Sequence, residues 1–66
     1  MKVVTITVMT KHDNECESYA IKESNLCPDM LFECVIQELR GGDWLRIDRF
    51  DASQEEYDAL PGFKDF

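Results

Sequence analysis

The chain has 66 residues, enough for one small domain, and carries 14 acidic side chains against 7 basic ones for a net charge of −7. So short a chain buries only about 60% of the surface it exposes when unfolded, which leaves little room for a buried cofactor or a deep cleft, yet its 44% of hydrophobic residues can build a core. The acidic balance excludes a free-standing nucleic-acid binder, because such proteins need an excess of basic charge.

Lys2 to Thr10 is dense in β-branched residues. Val4, Ile6 and Val8 fall on one face at period two, with Val3, Thr5, Thr7 and Met9 on the other, which predicts a strand. Lys11 to Asn14 is polar and turn-like. Glu15 to Lys22 pairs back as a second strand. Tyr19 and Ile21 share a parity with Glu15 and Glu17, so its start is expected to be exposed and its end to pack on the core. Ser24 and Asn25 are capping residues, Pro28 fits a first helical turn, and Asp29 complements the helix dipole there. From Asp29 to Arg40, Leu31, Cys34, Val35 and Leu39 form a stripe at helical spacing, widened by Phe32 and Ile36 on one side and Met30 on the other. Arg40 suits the last turn, and Gly41-Gly42 supplies a left-handed stop.

Asp43 to Phe50 alternates again, with Leu45 and Ile47 pointing one way and Trp44, Arg46 and Asp48 the other, which predicts a third strand. Ser53 and Glu56 make a capping box for a short helix over Gln54 to Leu60, with Tyr57 and Leu60 facing inward. Pro61-Gly62 ends that helix, Phe63 tucks back, and Phe66 frays at the terminus. The order predicts an α+β domain of ββαβα type. A small three-stranded antiparallel sheet carries the main helix on one face, and a short C-terminal helix follows.

Little in this pattern points to catalysis. His12 beside Asp13 has the composition of an oriented base but sits in a turn, where an exposed histidine is the simpler reading. Cys16, Cys27 and Cys34 are an odd number without paired spacing, which argues against a disulfide framework and against zinc. Glu15/Glu17 and Glu55/Glu56 are paired carboxylates, but the chain is too short to flank a sugar cleft. No calcium loop and no glycine-rich phosphate loop is present. No cofactor and no metal is expected. No apolar stretch reaches the roughly 18 residues of a membrane span, and no signal peptide is expected after Met1. A cytoplasmic protein without a membrane partner follows.

Charge placement is more informative. Residues 12 to 38 carry seven acids against Lys22 alone. Glu15 and Glu17 on one strand face stand roughly 6–7 Å apart, and Asp29 and Glu33 stand about 6 Å apart along a helix. Such rows imitate the phosphates of a nucleic-acid backbone, so a basic DNA-binding protein would accept them in its groove. An acidic face kept for solubility is the plainer alternative.

Gly42-Asp43-Trp44-Leu45-Arg46-Ile47, following a helix, is similar to the helix–Gly–acid–Trp–Leu strand entry of one family of small acidic anti-CRISPR proteins encoded by phages and mobile elements. Size, acidity and the strand–strand–helix–strand order resemble that group along the whole chain. The resemblance implies a non-enzymatic inhibitor of a type I surveillance complex, acting in a bacterial host cell. It would occupy a basic DNA-binding groove of a Cascade subunit and would contact no nucleic acid itself. The contact residues then expected are Asp13, Glu15 and Glu17 on the hairpin with Asp29 and Glu33 on the helix. Asp48, Asp51, Glu55 and Glu56 form a second patch, and Trp44 is either an exposed aromatic anchor or a side chain half-buried against the sheet edge. Glu38 is set aside because Arg40 and the core stripe lie close to it. The competing reading is a small interaction module, antitoxin-like or a phage accessory factor, that uses Trp44, Phe50, Tyr57 or an open sheet edge. A monomer is expected, or a weak homodimer paired through that open edge.

Overall fold

A computed structural model describes residues 1–11 and 14–64 of the chain. The elements are β1 (Lys2–Thr10), β2 (Glu15–Lys22), α1 (Pro28–Cys34), β3 (Trp44–Asp51), α2 (Gln54–Ala59) and β4 (Phe63–Lys64), with 3-10 turns at Glu23–Asn25 and Ile36–Glu38. The fold is α+β, built on a four-stranded sheet in the order β3-β1-β2-β4.

β1 is the centre of the sheet because it is the strand whose both faces are apolar or β-branched. It pairs antiparallel with β2, placing Ile6 opposite Tyr19, and antiparallel with β3, placing Ile6 opposite Ile47. Val4, Ile6 and Val8 bury one face with Ile21 and Val35, and Leu26, Leu31, Leu39 and Leu45 pack around them. On the opposite face, Val3 and Ala20 form a second, smaller core with Ala52 and Tyr57. There α2 docks through Tyr57, whose hydroxyl donates to the Ala20 carbonyl at 3.3 Å. The capping box holds the start of α2: the Glu56 N–H donates to Ser53 Oγ and the Ser53 N–H donates to Glu56 Oε1, each at 3.1 Å.

The phase of the β1–β3 ladder is fixed at its end. The Met1 ammonium donates to the Ala52 carbonyl at 2.8 Å, and the Ala52 N–H donates to the Met1 carbonyl at 2.9 Å. Because the two sides of a strand alternate, Trp44, Arg46, Asp48 and Phe50 turn their backbone groups toward β1. Leu45, Ile47, Arg49 and Asp51 turn theirs toward the outer edge.

Four expectations are corrected. The sheet has a fourth strand and is mixed, since Phe63–Lys64 runs parallel to β2, with Phe63 opposite Tyr19. Gly62, at φ +94°, makes the turn that lays this segment down. The main helix stops at Cys34, not Arg40. Val35 leaves the helical region at φ −123°, where two consecutive β-branched residues, Val35 and Ile36, disfavour helix. Met30, Phe32 and Cys34 on α1 and Ile36 beyond it are exposed and do not complete the expected apolar stripe. Gly41-Gly42 is not a helix stop but a turn from Arg40 to Asp43, closed by the Asp43 N–H donating to the Arg40 carbonyl at 2.9 Å. Gly42, at φ +92°, takes the third position, where a type II turn needs positive φ. Finally, Ser24 and Asn25 lie in the 3-10 turn, and Cys27 is the residue preceding α1, with Pro28 in its first turn.

Candidate acidic interface

A groove of about 440 Å³ lies between the end of the β1–β2 hairpin and the chain that follows α1. Its hairpin wall carries Glu15 and Glu17, placed there by the parity they share with Tyr19 and Ile21. Its opposite wall carries Cys34, Glu38 and Leu39, and Arg40 and Asp43 close one end. The floor is Val8 and Val35, the rim of the larger core.

The carboxylates in this groove differ in their roles. Asp43 is a structural staple: its Oδ1 accepts the Lys11 N–H at 2.8 Å and its Oδ2 accepts the Arg40 N–H at 2.9 Å, tying the end of β1 to the glycine turn. Glu17 accepts a hydrogen bond from the Tyr19 hydroxyl at 2.9 Å. Burial, together with the adjacent Glu17 carboxylate, raises the Tyr19 pKa above its ordinary value. Glu15 and Glu38 are exposed, and the ion pairs Lys2–Asp51, Arg46–Asp48 and Arg49–Glu23 lie elsewhere on the molecule.

The structure therefore joins Glu15 and Glu17 to Glu38 rather than to Asp29 and Glu33. Those two sit on exposed positions of α1 and do not line the groove. Glu38 escapes sequence reasoning because a helix continued to Arg40 would set it beside the core stripe. Ending α1 at Cys34 turns it to the hairpin instead. Asp13 lies outside the described residues, as does His12.

The second acidic set is not gathered into one patch. Asp48 and Asp51 stand on opposite faces of β3. Asp48 pairs with Arg46 at 2.9 Å and Asp51 with Lys2 at 2.7 Å. Glu56 is committed to the capping box, and Glu55 lies exposed in the same turn of α2. Trp44 is 50% exposed at the start of β3, opposite Met9. Ile47 and Phe50 on the same strand are also exposed.

Two ion pairs tie β3 to the rest of the fold. Arg49 donates to both oxygens of Glu23, Nε at 2.5 Å and Nη2 at 3.1 Å. This hydrogen bonding and the Arg49 charge hold the Glu23 carboxyl below its ordinary value. Lys2 does the same for Asp51. A carboxyl whose pKa is depressed by folding adds stability that is fully present above its unfolded pKa. That stability is lost as the pH falls through the folded pKa. The protein is therefore expected to lose stability on the acid side of the carboxylate range. Glu23→Gln should flatten that acid limb in urea titrations at stepped pH, by slightly lowering stability at neutral and alkaline pH while leaving it nearly unchanged at the acid extreme. An acid limb as steep as in the unsubstituted protein would count against the pair. The effect is small, because both partners are solvated.

Among the described residues no cluster of His, Cys, Asp and Glu is arranged to hold a metal ion, and no helix is long and apolar enough to cross a membrane. No family model matches the chain, and no match was found among curated proteins or solved structures.

Proposed function

We propose that the chain is a non-enzymatic inhibitor in the cytoplasm of a bacterial host. In this reading it presents its acidic groove to the basic DNA-binding surface of a type I CRISPR surveillance complex and keeps target DNA from binding. The observation that carries this reading is the convergence of Glu15, Glu17 and Glu38 on one groove, where among the described residues they outnumber the single cation, Arg40. The local resemblance at Gly42 to Ile47 supplies the class of partner. Carboxylates held on a strand and an adjoining turn are pre-positioned, so a partner's lysines and arginines meet them at little ordering cost. Long-range attraction from a net charge of −7 accelerates the encounter at low salt.

The test is a gel-shift competition in which a purified type I surveillance complex meets this protein and then labelled target duplex, at low and at high salt. The expected result is loss of the shifted band at low salt and weaker inhibition at high salt. A Glu15→Lys/Glu17→Lys variant should raise the concentration needed by at least about tenfold, and adding Glu38→Lys should raise it further. An unchanged band at low salt removes that complex as the target. A second reading, an interaction module working through its sheet edge, is favoured by the exposure of Trp44 and Phe50 on β3, joined by Ile47, whereas Tyr57 is buried against Ala20 and is not part of that surface. It predicts partner binding that survives the charge reversals.

A further inference from the structure

β3 is an outermost strand of the sheet, hydrogen-bonded to β1 on one side. Its other edge carries the outward backbone groups of Leu45, Ile47, Arg49 and Asp51. Edge strands are commonly guarded by proline, a bulge, a very short length or charged side chains. β3 has only the last of these, in Arg46, Asp48, Arg49 and Asp51, and they carry both signs. It runs eight residues without proline or glycine, and its register with β1 is unbroken from Trp44 to Asp51. Along this edge Trp44 and Ile47 are each 50% exposed and Phe50 is 37% exposed.

We propose that this edge pairs with the same edge of a second copy, antiparallel, about a two-fold axis through Ile47. The joined sheet would run continuously through both copies.

The side chains of β3 choose both the occupant and the register. A two-fold axis perpendicular to the sheet keeps like faces together, so it must pass through a residue. Centred on Ile47, it sets Ile47 against its own copy on the face that carries the larger core. On the other face it sets Arg46 opposite the second copy's Asp48, and Trp44 opposite the second copy's Phe50. Each of these contacts occurs twice by symmetry. Because Arg46 and Asp48 already pair along the strand, the four charges would alternate in sign around the axis. The neighbouring registers lack this complementarity. An axis through Arg46 sets Arg46 on Arg46, one through Asp48 sets Asp48 on Asp48, and one through Arg49 sets Arg49 on Arg49, while one through Leu45 pairs only Trp44 to Arg46 of the strand. Like charges directly opposite one another are destabilising.

The backbone phase agrees. Ile47 has its N–H and C=O on the free edge, so it would exchange both bonds with its copy. Leu45 would exchange bonds with the second copy's Arg49. The pairs Arg46–Asp48 and Trp44–Phe50 would then occupy non-hydrogen-bonded positions, where side chains stand closest. At the ends Asp51 would face the second copy's Asp43. This is the one like-charge contact of the register; it lies at the frayed ends, and Lys2 beside Asp51 offsets part of it.

Sedimentation equilibrium of the full chain tests this. The mass should rise from 7.7 kDa toward twice that value as concentration increases to about 1 mM. Arg46→Asp should weaken the dimer by about tenfold, and the swap Arg46→Asp/Asp48→Arg should restore it. Circular dichroism identifies variants that have not folded. In the unsubstituted protein, a mixture of labelled and unlabelled chains should show an intermolecular Ile47-to-Ile47 methyl NOE. A monomer throughout, a dimer indifferent to Arg46→Asp in a folded variant, or a dimer without the Ile47 contact overturns the proposal.

Discussion

Replacing Ile6 by alanine is expected to cost about 3–4 kcal/mol, the range for a large aliphatic side chain removed from a packed core. Ile6 has no exposed surface and sits on the central strand, between Tyr19 on one side and Ile47 on the other. Its neighbours are held by pairing on both edges of β1, so they cannot collapse far into the space left behind. A chain of this length has roughly 3–10 kcal/mol of total stability. The substitution therefore leaves a folded state that is barely favoured or already lost. Urea denaturation would measure it, with Ile47→Ala as the internal contrast. Ile47 is half exposed, and its truncation in the monomer should cost less than about 1 kcal/mol. Equal losses at the two positions would mean that the core is not where the structure places it.

The next largest effect is expected at Gly62, where alanine should cost about 2–3 kcal/mol. Two causes add. The backbone there has φ +94°, and a Cβ would lie 2.2 Å from the Ser18 carbonyl oxygen. That oxygen is backbone of β2, on the edge that β4 pairs with, so the clash is relieved only by shifting β4 off β2. Gly42 is the useful control. Its φ is nearly the same, +92°, but the first atom a Cβ meets is Lys11 Cδ at 2.7 Å, part of a flexible side chain. Gly42→Ala should therefore cost only the backbone strain, about 1 kcal/mol. Thermal melts of the two variants would separate the causes, and equal melting points would show that the contact with Ser18 is not restrictive. In Gly62→Ala the contact between Tyr19 and Phe63, with ring centroids 5.6 Å apart, should loosen first, because Gly62 sets the path of β4.

What could be read from the sequence was local and periodic. β1 and β3 were legible because their β-branched and apolar residues alternate over eight or nine positions. The start of α2 was legible because a capping box lies within four consecutive residues. The mixed exposure along β2 also followed from parity, which is how Glu15 and Glu17 were recognised as neighbours on one face. The end of α1 was not legible. Leu39 continues the helical spacing, but the backbone at Val35 has already left the helix, and the spacing carries no sign of it. Glu38 was misjudged for the same reason. β4 is two residues long and has no pattern to read. The ion pairs were also hidden, since Lys2 and Asp51 are 49 residues apart and Glu23 and Arg49 are 26 apart.

The position of β1 also governs how the molecule is made. The strand at the middle of the sheet is the first to be synthesised, and one of its partners, β3, comes from the last third of the chain. The hairpin of β1 and β2 closes a short loop and forms on a microsecond scale. The opposite edge of β1 must wait until Trp44 to Asp51 has been synthesised. During that interval Val4, Ile6 and Val8 lie beside an unpaired edge, and the larger core lacks Leu45. Folding is consequently governed by one distant closure and is slower than that of a helical domain of equal length. The interval in which a growing chain can associate with another is set by the time ribosomes need to deliver β3.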